Sequence, residues 1–194
     1  MSLRERIYSV LVVSASQKFN QALPDFFPVS TFSPVNIVSD ISSAKRAVTE
    51  RDFDFLIINS PLPDDTGVRF AIDSVTSGNT VVLFLAREEQ YSEAYDRLAE
   101  HGVFLMQKPV TRPIFQAVSG WLISARERIR KTEVKTLSIE EKMNEIRLVN
   151  RAKWLLISKV KMTEPDAHRF IEKQAMDRCI PKKRVAEEII KTYG

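Results

Sequence analysis

Asp54-Phe55-Leu56-Ile57-Ile58-Asn59-Ser60-Pro61-Leu62-Pro63-Asp64-Asp65-Thr66-Gly67 is the stretch on which the fold turns. Phe55 to Ile58 is an unbroken apolar run of strand length, bounded downstream by prolines, aspartates and a glycine that turn the chain. A helix from Gly67 to Ser77 follows directly. The same unit repeats outward on both sides. Upstream, Tyr8 to Val13 is a β-branched run suited to a buried strand, then a polar turn at Ser14-Ala15-Ser16 leads into a helix reaching about Leu23. Val35 to Val38 is the next strand, and Ser39 or Asp40 caps a helix over Ile41 to Arg51. Downstream, Thr80 to Leu85, a helix over Glu88 to His101, Val103 to Met106 and a helix from near Thr111 complete the pattern. Five short strands separated by helices predict an α/β doubly wound five-stranded parallel sheet with right-handed crossovers. Ligands of such sheets meet the carboxyl edge of the strands.

Composition bounds the rest. The 194 residues suffice for one compact domain and a smaller one, and 44% hydrophobic content argues for a packed core. Cys179 is the single cysteine, which excludes an internal disulfide framework, and with two histidines a zinc site is not expected. No apolar run approaches the ~20 residues that span a bilayer, and Met1 to Ile7 lacks a leader profile, so a soluble cytoplasmic protein is expected. The net charge is +4. From Glu140 to Gly194 there are 13 Lys and Arg against 9 Asp and Glu, so the whole excess lies in the C-terminal segment. No glycine-rich phosphate loop, catalytic triad or metal-ligand spacing points to an enzyme, and no cofactor is expected.

The segment from Ser138 to Ile190 reads as three basic helices. Ser138 followed by Glu141 has the form of a capping box, with Met143, Ile146, Asn150, Trp154 and Ile157 recurring at helical spacing behind it. Thr163-Glu164-Pro165-Asp166 starts a second helix whose apolar face is Phe170, Ile171 and Ala175. A third opens near Pro181 and buries Val185, Ile189 and Ile190. Its first turn carries Lys182, Lys183 and Arg184, which suit a polyanionic partner better than the helix dipole. Met143, Met162 and Met176 read as core fillers, and Trp154 as core or interface.

Between the halves a heptad runs through Val118, Ala125, Thr132, Ile139 and Ile146, with Leu122, Ile129, Thr136, Met143 and Asn150 in the second core position. This predicts a coiled coil that makes a homodimer, with Asn150 setting register. The alternative is that Val118, Trp121, Leu122 and Ile129 dock the last helix onto its own sheet. The expected domains are 1–122, a helical linker 123–138, and 139–194.

Two resemblances add to these readings. Asp54 to Gly67 and Gln107-Lys108-Pro109-Val110 resemble the receiver domain of two-component response regulators, over roughly Ile7 to Arg130. That resemblance implies an aspartate after the third strand to accept phosphate, two acids after the first to hold magnesium, a hydroxyl after the fourth and a lysine after the fifth. Here the corresponding positions hold Asn59, Ser14 and Ala15, and Leu85, and only Lys108 is kept, before what the pattern marks as a cis-proline. An amide cannot form an acyl phosphate. Asp64 and Asp65 read as caps of the turn into the Gly67 helix. The expectation is a receiver-like domain without phosphotransfer, serving dimerisation or a regulatory partner protein.

Ala152-Lys153, Thr163 to Asp177 and Val185 to Ile190 resemble the ANTAR domain, the RNA-binding output module of bacterial transcription antitermination regulators. Trp154 departs from that pattern, in which a small residue follows the Ala-Lys pair. The resemblance implies binding to hairpin loops of nascent mRNA leaders. Loop readers use planar side chains for splayed bases and cations for phosphates, which nominates Lys153 and Gln174 first, then Arg151, Lys159, His168, Arg169, Lys182, Lys183 and Arg184. A DNA-binding regulator is the alternative, since short basic helices also suit helix-turn-helix recognition, although no short glycine turn is evident between the last two helices. A phosphorylation-dependent signalling protein is a third, opposed by Asn59, Ser14 and Ala15.

Overall fold

A computed structural model describes residues 6–194. Met1 to Glu5, which open the expected 1–122 domain and most of the stretch read for a leader, lie outside them. Two compact units divide between Arg130 and Lys131.

The first unit alternates β1 (Tyr8–Val13), α1 (Gln17–Phe26), β2 (Phe32–Val38), α2 (Ile41–Glu50), β3 (Phe55–Asn59), α3 (Val68–Ser77), β4 (Val81–Ala86), α4 (Glu88–Leu98), β5 (Phe104–Gln107) and the start of α5 (Arg112–Val160). The sheet is parallel, in the order β2-β1-β3-β4-β5. Alternation along the strands sends side chains to two cores. Leu11, Val13, Leu56, Ile58, Val82 and Phe84 pack with α2, α3 and α4. Val10, Val12, Phe55, Ile57, Leu83 and Leu85 pack with α1 and α5. Burial on both faces explains why these strands read as continuous apolar runs.

The turn after β3 needs Gly67. Its φ is 84°, and a Cβ there would stand 2.8 Å from Cγ2 of Ile58. Asp40 is the cap of α2, accepting from the Ser43 amide at 2.7 Å. The second strand begins at Phe32, earlier than Val35. Because β2 is an edge strand, Pro34 is tolerated, and a register shift between Tyr8 and Val10 absorbs it.

Two expectations about the connector are corrected. No helix starts at Ser138: α5 is one helix of 49 residues through that position. No glycine or proline occurs between Gly120 and Pro165, and the intervening Lys, Arg, Glu and Leu favour helix, so nothing lets Ser138 leave the helical conformation as a cap must. The first half of the heptad is also used inside the chain. Val118, Leu122, Ala125 and Ile129 pack into the α1-side core, which leaves Ile139, Met143 and Ile146 exposed.

The second unit comprises the last turns of α5, α6 (Glu164–Asp177) and α7 (Lys182–Tyr193). Ala152, Leu155 and Leu156 pack with Ala167, Ile171 and Ala175 and with Val185, Ala186 and Ile189. Thr163 caps α6, and Pro181 sits at the cap position of α7. Three expected core side chains are exposed instead, Phe170, Met143 and Met176 (77%), and Trp154, read as core or interface, is 64% exposed. Small residues decide this. Ala152, Ala167, Ala175 and Ala186 let the three helices approach closely, so large side chains beside them are turned outward. Met162 does pack against the core.

Candidate nucleic-acid interface and the receiver-like site

At the carboxyl end of the sheet, β1, β3 and β5 bring Ser14, Asn59 and Lys108 together. Asn59 Nδ2 donates to Ser14 Oγ at 2.9 Å, and Lys108 Nζ donates to Asn59 Oδ1 at 3.0 Å and to the carbonyl of Ser60. Ser14, Asn59 and Ser60 are buried, so the amide fills the floor of the site with a satisfied neutral network. Leu85, opposite Asn59 in the ladder, is fully buried in the core and brings no oxygen. Among the described residues no group of three His, Cys, Asp or Glu could hold a metal ion.

Both loop aspartates accept hydrogen bonds from backbone amides. Asp65 accepts from the Gly67 amide at 2.6 Å, as a cap of the turn into α3. Asp64 does not serve that turn. It accepts from the amides of Ile41 and Ser42 and from the Ser42 hydroxyl at 3.0–3.1 Å, completing the cap of α2. Those bonds, the Ile41 amide foremost, hold its carboxyl below the usual carboxylate range. Burial, then the charge of Arg87, lowers the Lys108 ammonium from its usual range. Lys108 therefore sits among neutral acceptors with a like charge nearby.

The opposite end of the sheet carries an ionic cluster that the sequence reading missed. Asp54, just ahead of β3, accepts from the Ser9 amide at 2.9 Å and its hydroxyl at 3.1 Å, and from Arg126 Nε at 2.9 Å and Arg130 at 3.4 Å. Glu127 accepts from Tyr8 Oη at 3.0 Å and pairs with Arg6 and Arg130. Burial alone would raise the Glu127 carboxyl, but hydrogen bonds from Arg6 and Tyr8 and the charges of Arg6 and Arg130 outweigh it and hold it low. Burial and Glu127 push the Tyr8 phenol up to about 12. These pairs fasten α5 to β1 and β3. The only available signal was an aspartate before a strand and Arg126, Glu127 and Arg130 about one turn apart.

In the second unit the nine nominated side chains fall into two groups. Lys153 donates to Glu164 at 2.9 Å, Lys182 to Glu172 at 2.5 Å, and His168 lies 3.3 Å from Glu172. Arg178 forks onto Glu188 at 2.6 and 2.8 Å. Lys153 thereby ties the start of α6 to α5, and Lys182 ties α7 to α6. Arg151, Lys159, Arg169, Lys183 and Arg184 are exposed, with no ion pair to a carboxylate among those described, while Gln174 is half-buried. The periodicity also puts Arg147, Arg151 and the exposed Trp154 on one face of α5, and Arg169, Lys173 and Met176 on one face of α6. Arg147 and Lys173 were not singled out in sequence. A four-residue turn, 178–181, does join α6 to α7, with Cys179 at φ 50° where glycine would be usual.

The chain thus joins a parallel sheet domain of receiver-like fold to a three-helix domain. Residues 138–190 match the ANTAR domain. The transcriptional regulatory protein PdtaR of Mycobacterium tuberculosis is 28% identical over 162 residues, covering 81% of this chain and 78% of the relative. Among solved structures, an adenylate cyclase from Rhodopirellula baltica aligns with TM-score 0.59 and 18% identity over 69% of this chain and 97% of the other. The signal receiver domain of an HD domain-containing protein from Pseudomonas fluorescens Pf-5 aligns with TM-score 0.58 and 15% identity over 68% and 95%. At such identities these two likenesses concern the fold alone. No helix among the described residues is long and apolar enough to cross a membrane.

Proposed function

We propose that this chain is a cytoplasmic RNA-binding regulator of transcription antitermination, not an enzyme, that holds hairpin loops of nascent mRNA through residues 139–194. The observation that carries the proposal is the ANTAR match over a three-helix unit whose outward cations Arg151, Lys159, Arg169 and Lys183 form no ion pair to a carboxylate among the described residues, with Arg184 exposed beside them. Such cations are available to phosphates, and Gln174 and His168 to base edges. Lys153 and Lys182, engaged by Glu164 and Glu172, are less available to phosphate than these. The test is a fluorescence-anisotropy titration against hairpin RNA and matched duplex DNA across salt. Arg151→Ala and Arg184→Ala each lower the salt slope by about one and weaken RNA binding several-fold. Tighter binding to duplex DNA would favour the helix-turn-helix reading, which the 178–181 turn keeps in play.

The receiver-like domain does not carry phosphotransfer in this proposal, because Asn59 cannot form an acyl phosphate and Ser14 and Ala15 cannot hold magnesium. Acetyl phosphate with magnesium leaves the intact mass unchanged, for the native chain and for Asn59→Asp; a phosphorylated adduct on either would overturn it. Dimerisation through the exposed Ile139, Met143 and Ile146 completes the proposal. Ile146→Glu then converts a dimer to a monomer in sedimentation equilibrium.

A further inference from the structure

The carboxyl-edge site opens into a cleft of about 570 Å³ that includes Phe19, Ala22, Arg87, Lys108 and Val110 in its walls. That volume lies within the range of small-molecule sites, roughly 300–1,000 Å³. Three cations line it, Lys18, Arg87 and Lys108, and none forms an ion pair to a carboxylate among the described residues. Lys108 is the most confined of them. Its hydrogen-bond partners are a neutral amide and a carbonyl, and the like charge of Arg87 stands in the same cleft. Glu88 and Glu89 also line the cleft, as exposed first-turn residues of α4, and neither forms an ion pair with Lys108 among the described residues. A confined cation without an acid is costly until a counter-charge arrives.

The floor says which counter-charge fits. The Asn59–Ser14 hydrogen bond occupies the positions where carboxylates would hold a divalent ion, so an anion here meets the protein's cations directly. The walls say what the anion carries. Phe19, Ala22 and Val110 are half-buried apolar side chains that a bare inorganic ion would leave wet.

We propose that this cleft binds a small organic anion, an apolar body bearing a phosphate or carboxylate, with its head beside Lys108 and Arg87 and its body against Phe19, Ala22 and Val110. The proposal rests on the reading of the site as incapable of phosphotransfer. That reading is tested by intact mass with acetyl phosphate, so either can fail without the other.

The experiment is calorimetric titration and thermal melting of the full chain with phenyl phosphate, benzoate, inorganic phosphate and benzyl alcohol at low salt. Phenyl phosphate or benzoate raises Tm saturably and binds about tenfold more tightly than inorganic phosphate or benzyl alcohol. Which of the two organic anions is preferred identifies the head group. Arg87→Gln, an exposed substitution that leaves folding intact, weakens that binding about tenfold, as does Lys108→Gln. No saturable shift with either organic anion at about 10 mM overturns the proposal. So does equal binding of phenyl phosphate and inorganic phosphate, or unchanged affinity in both variants.

Discussion

In the sheet unit one ionic cluster, around Asp54 and Glu127, is drawn inward, whereas the ion pairs of the three-helix unit lie on the surface. Asp54 and Glu127 have side chains only 13% and 12% exposed, and each holds arginines against β1 and β3. Glu172 and Glu188, 38% and 54% exposed, bridge neighbouring helices in water. The same chemical pair differs in consequence because removing one partner of a buried pair strands a charge in a poor solvent, whereas water replaces a lost surface partner. The contrast extends to the unpaired cations. Lys108 is confined at a cleft, whereas Arg151 and Arg169 lie exposed on helix faces with no ion pair to a carboxylate among the described residues.

The contrast breaks most visibly at Asp54. Asp54→Ala leaves Arg126 and Arg130 without that acceptor and costs roughly 3–5 kcal/mol, read from urea unfolding followed by circular dichroism. A loss no larger than that of a surface pair would mean the cluster is as solvated as those on α6 and α7.

Next in size is the pH dependence. The Glu127 carboxyl titrates below its ordinary value in the folded chain, so its stabilisation is present above the unfolded value of 4.5 and is lost as pH falls through the folded one. The Tyr8 phenol is raised, so its contribution is complete below 10.0 and is lost as pH climbs toward about 12. Glu127→Gln flattens the acid limb of stability against pH, and Tyr8→Phe flattens the alkaline limb. Unchanged limbs in both variants would remove the cluster from the pH response.

Ser138 separates a continuous helix from a capped start. As an interior residue its replacement by Ala leaves helix content unchanged or slightly higher, whereas loss of a true cap would cost about 1 kcal/mol. Smallest of all is Glu172→Gln, which leaves the urea midpoint unmoved because Lys182 and His168 turn to water.

The strands were legible because a parallel sheet covered on both faces demands uninterrupted apolar runs, and Phe55 to Ile58 and Tyr8 to Val13 supply them. The placement of Asn59, Ser14 and Lys108 at one edge of the sheet was legible too, since each follows or ends a readable strand. Thr163 and Asp166 announced α6 because a cap is a local interaction, and the structure repeats it. Ser138-Ile139-Glu140-Glu141 has the same local form but no break before it, and a cap exists only where the preceding backbone departs from the helix. The α1-side core claimed Val118, Leu122, Ala125 and Ile129, which one-dimensional periodicity could assign equally to a partner. The exposure of Trp154, the partition of the cations into paired and free, and the inward clamp from Asp54 to Arg126 all depend on residues distant in the chain. Local pattern determined the elements and the residue types that meet at the sheet's carboxyl edge. Close packing among α5, α6 and α7, and of α5 on the sheet, decided which side chains are buried and which are exposed.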